Sequence, residues 1–246
     1  MNSLPLIERP SSNNDARSPG RVVDMLVLHY TGMEDAQLAL DRLCDPEAAV
    51  SAHYLIDEDG GIHRLVPEAR RAWHAGVAAW RDETEINDLS IGVELVNPGH
   101  AFGYRPFTEH QMIALEELAR DILDRHDIPP RRVLGHSDVA PSRKRDPGEL
   151  LDWRRLARAG IGLWPEVSEP PGHGASMRSG DDGVMVAAAQ AAFAAFGYGL
   201  QPNGVYDKDT IDVVTAFQRH FRPRKIDGRL DLETAAVLKA LLEMAD

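Results

Sequence analysis

The chain has 246 residues, about one and a half times a usual domain of roughly 150, which points to a larger domain joined to a smaller one. With 43% hydrophobic and 27% charged residues and no apolar run near the roughly 18 residues that cross a bilayer, it reads as globular, neither membrane-spanning nor disordered. A net charge of -12 repels a phosphate backbone and so argues against nucleic acid as a partner, and a single cysteine, Cys44, excludes an internal disulfide and a thiolate metal cage.

Residues 1–20 are rich in Pro, Ser, Asn and charge and are expected to form a flexible lead-in. Val22 to Tyr30 is an apolar, β-branched run suited to a central strand, and Ser51 to Val66 reads as two short strands around a turn at Asp57 to Gly61. Leu89 to Val96 is a further strand. Thr108 to Gln111 forms a capping box ahead of apolar positions Met112, Leu115, Leu118, Ala119, Ile122 and Leu123, a helix that Pro129 and Pro130 stop. A short strand from Arg132 then leads into His136. Alternating strands and helices predict an α/β domain over 21–165, with a mixed central sheet flanked by helices and its site at the carboxyl ends of strands.

From Pro165 to Gly183 ten of nineteen residues are Pro, Gly or Ser, so 166–182 is expected to be a linker. Beyond it, Gly204 to Thr210 and Gly228 to Thr234 repeat the pattern G-x-x-D-x-[DE]-T, each ahead of an apolar helical run. Asp207 and Asp231 are placed to cap those helices. With the Ala-rich helix from Val184 to Phe196 they predict an all-α three-helix domain over 183–246. Arg222, Arg224 and Lys225 read as a solvated basic turn.

Among the ten histidines, His29 and His136 end buried strand-like runs, where a polar imidazole needs a partner or a task. With Asp146, ten residues past His136, they make two imidazoles and one carboxylate, the donor count of a hydrolytic zinc site with a position left for water. Asp138 and His53 compete equally for that role on spacing alone. Glu94 projects from an otherwise apolar strand, either as an edge charge facing solvent or as a general base. Lys144 shares the side of Asp146 if the loop is extended, where a cation can hold a developing oxyanion.

The segments Leu28 to Thr31, Ser51 to Ile56, Arg71 to Gly76, Asn87 to Glu94 and Gly135 to Gly148 closely resemble the type 2 N-acetylmuramoyl-L-alanine amidases, relatives of phage lysozyme-type amidases and of peptidoglycan recognition proteins. Residues 183 to 243 are similar to the three-helix peptidoglycan-binding domain, through Gln190, Phe196 to Tyr198, Gly204 to Asp207, Ala216 to Gln218, Gly228 and Thr234. The resemblance implies one Zn2+ on His29, His136 and Asp146, and Glu94 with Lys144 as the catalytic pair. His74 and Asn87 are expected to line the groove, Arg71 to meet a stem-peptide carboxylate and Trp80 a sugar face, while His53 is read as structural.

It further implies hydrolysis of the amide between N-acetylmuramic, or 1,6-anhydro-N-acetylmuramic, acid and L-Ala, with peptidoglycan or its fragments as partner, in wall recycling or remodelling. A non-catalytic wall sensor and a metallopeptidase acting within the stem peptide are the alternatives. The N-terminus carries no readable secretory pattern, which points to the cytoplasm, whereas the wall-binding segment points to the periplasm. A chain cut near Glu169 is expected to fold and to act on soluble muropeptides.

Overall fold

The computed structural model describes residues 4–167, 174 and 176–244, so residues 168–173 and 175 of the expected linker lie outside the described residues. Strands β1 (Leu6–Glu8), β2 (Asn14–Ala16), β3 (Met25–Tyr30), β4 (Tyr54–Ile56), β5 (Ile62–Arg64), β6 (Arg70–Ala72), β7 (Ser90–Leu95) and β8 (Val133–Gly135) alternate with helices α1 (Ala36–Cys44), α2 (Ile86–Leu89), α3 (Gly99–Phe102), α4 (Glu109–Arg125), α5 (His136–Val139) and α6 (Trp153–Arg158). Helices α7 (Val184–Phe196), α8 (Lys208–Phe221) and α9 (Leu232–Met244) complete the chain.

Six strands form one sheet in the order β1-β5-β4-β7-β3-β8, parallel except for the β4–β5 hairpin. The hairpin turns at Asp57 to Gly61, closed by Asp57 N–H donating to Gly61 O at 2.9 Å. β3 and β7 are central and buried on both faces, as their near-continuous apolar runs require. Glu94 therefore does not stand on an edge strand.

From Leu4 onward the lead-in is ordered, contrary to the expectation from composition. Leu6 to Glu8 add to the sheet beside Ile62 to Arg64, and β2 pairs antiparallel with β6. Arg17 locks this segment: its Nη1 donates to Asn87 O and Asp88 O at 3.0 and 2.8 Å, and its Nη2 to Ser90 O at 2.9 Å. Backbone pairing with a distant partner outweighs poor local propensity here.

Side-chain alternation divides the core. Leu26, Leu28, Ile91, Val93 and Leu95 face α4, whose capping box at Thr108 and Gln111 forms as expected and whose Met112, Leu115, Leu118, Ala119 and Ile122 are buried. On the other face Leu55 packs with Leu40 and Leu43 of α1, whereas Met25, Val27 and Leu134 join one apolar cluster with Trp80, Phe193, Phe196, Tyr198 and Phe217. Helices α7 to α9 thus cover the sheet under β3 and β8 and share its core. The detachable module expected beyond the linker instead shares this core, packing with Ala75, Ala78, Trp80, Ile86 and Val139 in the one cluster that holds Met25 and Val27.

Within α7 to α9 the sequence repeat has a structural counterpart. Asp207 accepts from Thr210 N at 3.0 Å and Asp231 from Thr234 N at 2.9 Å. Fully buried Gln190 and Gln218 each tie one repeat together, their Oε1 accepting from Gly204 N at 2.8 Å and Gly228 N at 2.9 Å. Of the basic turn, Arg224 and Lys225 are exposed as expected, whereas Arg222 is buried and bonded to Asp231 at 3.2 Å, a carboxylate that Lys225 also reaches at 3.2 Å.

Glu68 ties the hairpin to the end of α4, accepting from Tyr54 Oη at 2.7 Å, Arg125 Nη2 at 2.5 Å and His126 Nε2 at 2.7 Å. Burial pushes its carboxyl up, but these bonds outweigh burial and hold it at about 2 against an ordinary 4.5. A depressed folded value contributes stability above the ordinary value, lost as pH falls from about 4.5 toward 2. Glu68→Gln is therefore expected to lower urea stability at pH 7 by roughly 1 to 3 kcal/mol, with the deficit shrinking below pH 4.5 and becoming small near pH 2. An equal deficit at both pH values would refute this.

Candidate metal centre and active site

His29 is the penultimate residue of β3, His136 opens α5 directly after β8, and Asp146 lies in the loop after α5. β8 and β3 are adjacent and parallel, so their carboxyl ends bring the two imidazoles together. His29 Nδ1 lies 2.9 Å from His136 Nδ1 and 3.0 Å from Asp146 Oδ2, and His136 Nδ1 lies 2.9 Å from the same oxygen. All three residues are buried. No other group of three His, Cys, Asp or Glu among the described residues could hold a metal ion.

The outer ring nitrogens explain this orientation. His136 Nε2 donates to Ala75 O at 3.0 Å, which leaves the Nδ1 lone pair of a neutral imidazole facing the triangle. His29 Nε2 meets His74 Nδ1 at 3.1 Å, and His74 Nε2 meets Ser90 Oγ at 3.2 Å, while Ser90 Oγ donates to Ile86 O at 2.6 Å. Since Ser90 spends its proton on the carbonyl, it accepts from His74 Nε2, and His74 Nδ1 accepts from His29 Nε2. Both inner nitrogens are then bare, as metal ligands must be. Burial, then His136, pushes His29 down to about 4, and His29 and His136 hold Asp146 well below the usual carboxylate range against the opposing push of burial.

His74 fits against the sheet because Gly92 offers no side chain; a Cβ there would lie 2.5 Å from His74 Cγ. Asn87 Oδ1 accepts from His74 N and Ala75 N at 3.1 and 2.8 Å, so Asn87 shapes the loop that meets both imidazoles. His53 is structural as read, accepting from Gly92 N at 3.0 Å through Nδ1 and meeting Arg70 O at 3.1 Å through Nε2. Asp138, the competing carboxylate, is turned away and fully buried against Tyr198 and His220.

His136 and Asp146 of the triangle line a cavity of about 570 Å³ whose walls include Glu94, Lys144, His74, Trp73, Arg143 and Arg42. Glu94 pairs in register with His29 across β7 and β3, and its Oε2 is buried with no hydrogen-bond partner. Burial, reinforced by Asp146, pushes its carboxyl up to about 8. Such a group exchanges a proton near neutral pH. Lys144 lines the same wall at the edge of solvent.

Arg71 and Trp80 lie elsewhere. Arg71 is held by Asp15 at 3.2 Å, Glu85 at 3.3 Å and Asp88 at 3.9 Å, outside the cavity. Trp80 is fully buried, edge-on to Tyr198 at 5.0 Å and Phe196 at 5.8 Å between ring centroids, so its indole cannot meet a sugar. Trp73, seven residues earlier, is the half-buried indole on the cavity wall. It falls in the segment Arg71 to Gly76 beside His74, but nothing local distinguishes its exposure from that of Trp80. Arg143, which no local pattern singles out, donates to Ala75 O at 3.1 Å and to Val77 O and borders the cavity.

Residues 19–149 match the family described as N-acetylmuramoyl-L-alanine amidase, and residues 182–238 match a peptidoglycan binding domain. The chain is 38% identical over 254 residues to the N-acetylmuramoyl-L-alanine amidase AmiD of Escherichia coli (strain K12), covering 97% of this chain and 90% of that one. It is 34% identical over 164 residues to the 1,6-anhydro-N-acetylmuramyl-L-alanine amidase AmpD of the same organism, covering 60% and 87%. The solved complex of E. coli AmiD with anhydro-N-acetylmuramic acid-L-Ala-D-gamma-Glu-L-Lys superposes with a TM-score of 0.77 at 37% identity over 93% of each chain. AmpDh3 of Pseudomonas aeruginosa in complex with anhydromuramic pentapeptide also superposes with a TM-score of 0.77 at 37% identity, over 92% of this chain and 94% of that one.

Proposed function

The chain belongs to the N-acetylmuramoyl-L-alanine amidase family, and from that premise we propose that His29, His136 and Asp146 hold one zinc ion, with Glu94 and Lys144 as the catalytic pair. It hydrolyses the amide between N-acetylmuramic acid, or its 1,6-anhydro form, and the L-Ala of the stem peptide, so peptidoglycan or its fragments are its partner. We divide it into a catalytic part over 21–165 and a helical part over 183–246, the latter meeting polymeric wall as well as covering the sheet. No helix among the described residues is long and apolar enough to cross a membrane.

The donor set suits zinc. Its three inner atoms lie 2.9 to 3.0 Å apart, against about 3.3 Å between ligands of a tetrahedral ion with bonds of about 2.0 to 2.1 Å, so a small outward movement admits the ion. Zinc bound there supplies a Lewis acid that polarises a carbonyl and brings water toward a pKa of about 7.

The protein's own groups do the rest. Glu94, with an oxygen free of any donor, takes the proton of the attacking water and returns it to the leaving amine of L-Ala. Its burial serves the second half, since a carboxyl pushed up to about 8 readily holds a proton to give back. The Lys144 ammonium faces the negative oxygen that forms as the carbonyl becomes tetrahedral. His74 and Ala75 O hold the two imidazoles so that neither ring must reorient during turnover.

The observation that carries this reading is the buried, unpartnered Oε2 of Glu94 on the wall of the cavity that His136 and Asp146 line. A wall sensor has no use for a buried, unpaired acid. With a soluble muropeptide, mass spectrometry is expected to find intact sugar and a free peptide beginning at L-Ala, and Glu94→Gln is expected to lower kcat by about 100-fold or more with zinc still bound. Cleavage inside the stem peptide, or a near wild-type rate in Glu94→Gln, would overturn the assignment.

A further inference from the structure

We infer that Tyr198 and His220 of the helical part are positioning residues for the metal centre, acting through Asp138 on the turn that presents His136; this rests on the ligand assignment proposed above. Asp138 is fully buried two residues after His136, and all three of its partners are in place. Oδ1 accepts from Tyr198 Oη at 2.7 Å, and Oδ2 accepts from His220 Nδ1 at 2.7 Å and from Gly135 N at 2.8 Å. Two of the three donors come from the part of the chain that carries no proposed catalytic residue.

The turn needs such support because α5 is only four residues long. A single helical turn has too few internal bonds to hold its own geometry. Yet it carries much of the centre. His136 is its first residue, Ser137 N donates to Asp146 O at 2.8 Å, and the chain after it is closed by Ala140 N on His136 O and Lys144 N on Ala140 O, both at 3.0 Å. Both proposed ligands from this region and Lys144 therefore depend on one turn, which the Asp138 carboxylate closes by reaching back to Gly135.

The donors are themselves fixed by packing. The Tyr198 ring lies edge-on to Trp80 at 5.0 Å, and His220 stacks between Trp153 and Phe221, each at 3.7 Å between centroids. Arg81 N also donates to Gly197 O at 2.6 Å, next to Tyr198. A carboxylate buried this deeply cannot turn to water, so losing its donors forces it, and the backbone on either side, to move. Outer partners of metal ligands are commonly worth about 10- to 100-fold in metal affinity. The helical part is thus more than a cover or a wall anchor: its docking sets the ligand geometry.

A purely structural latch would lower stability alone, so the test reads zinc affinity. In the full-length protein, chelator competition is expected to show zinc bound about tenfold or more weakly in a Tyr198→Phe, His220→Ala double variant, with a fall in kcat larger than any change in KM. His220→Asn, which returns an N–H donor near the Nδ1 position, is expected to recover most of the loss of His220→Ala. Leu241→Ala, in the shared core on α9 and without a hydrogen bond or ring contact to Asp138, Tyr198 or His220, is expected to lower the metal-free Tm but keep zinc affinity within about twofold of wild type. Wild-type zinc affinity in the double variant, or an equal loss in Leu241→Ala, overturns the inference. If the double variant does not fold, Tyr198→Phe alone decides, since it keeps the ring and removes one donor; unchanged affinity there also overturns it. Undiminished zinc binding by His136→Ala would instead mean that the ligand assignment is at fault.

Discussion

Replacing His136 with Ala is expected to empty the zinc site and to lower amide hydrolysis by roughly a thousandfold or more. The magnitude follows from the chemistry that the ion supplies. Polarising the carbonyl and acidifying water are together worth several kcal/mol, and each 1.36 kcal/mol is about tenfold in rate. His29 Nδ1 and Asp146 Oδ2 would remain 3.0 Å apart, but two donors make a poor site for an ion that prefers three protein ligands and a water. Elemental analysis and single-turnover rates check this directly. Lys144→Ala is the contrasting case, expected to slow the reaction while retaining zinc. Full zinc occupancy in His136→Ala would sink the assignment of His136.

Ending the chain at Val167 is expected to abolish cooperative folding, the reverse of what the Pro- and Gly-rich boundary suggests. Removing α7 to α9 uncovers Trp80, Met25, Val27, Leu134 and Val139 of one cluster. Exposing a large apolar side chain costs about 1.5 to 3 kcal/mol, so the set together costs on the order of 10 kcal/mol, comparable with the whole stability of a typical domain. It also strips Asp138 of Tyr198 and His220. Near-ultraviolet circular dichroism and thermal melting should show a chain without fixed tertiary packing or one that precipitates. A soluble truncated enzyme with a sharp melt and full activity on soluble muropeptide would refute the shared core. Trp80→Ala in the full-length protein probes the same interface, with an expected loss of about 3 to 5 kcal/mol.

What could be read along the chain was whatever is decided over a few residues. The apolar run into His29, the capping box at Thr108, the turn at Asp57 to Gly61 and the Asp caps of the helical repeat all depend on neighbours within about four positions, and each forms as expected. The long motif from Gly135 to Gly148 likewise carried the family resemblance, because its polar residues are crowded into one loop.

The tertiary structure decided which partner each polar or aromatic group meets. Asp138 and Asp146 are both carboxylates that follow His136, two and ten residues on, and spacing does not choose between them; Asp138 is claimed by donors 60 and 82 residues away, whereas Asp146 points at two imidazoles. Trp73 and Trp80 differ only in that α7 to α9 close over the second. Arg71 is taken by three acids, and the polar lead-in becomes strands because β5 and β6 offer open edges. In each case the deciding energy is a burial or hydrogen-bond term between segments far apart in sequence. Composition and periodicity cannot register such terms, because they exist only after the chain has closed the loops that bring the partners together.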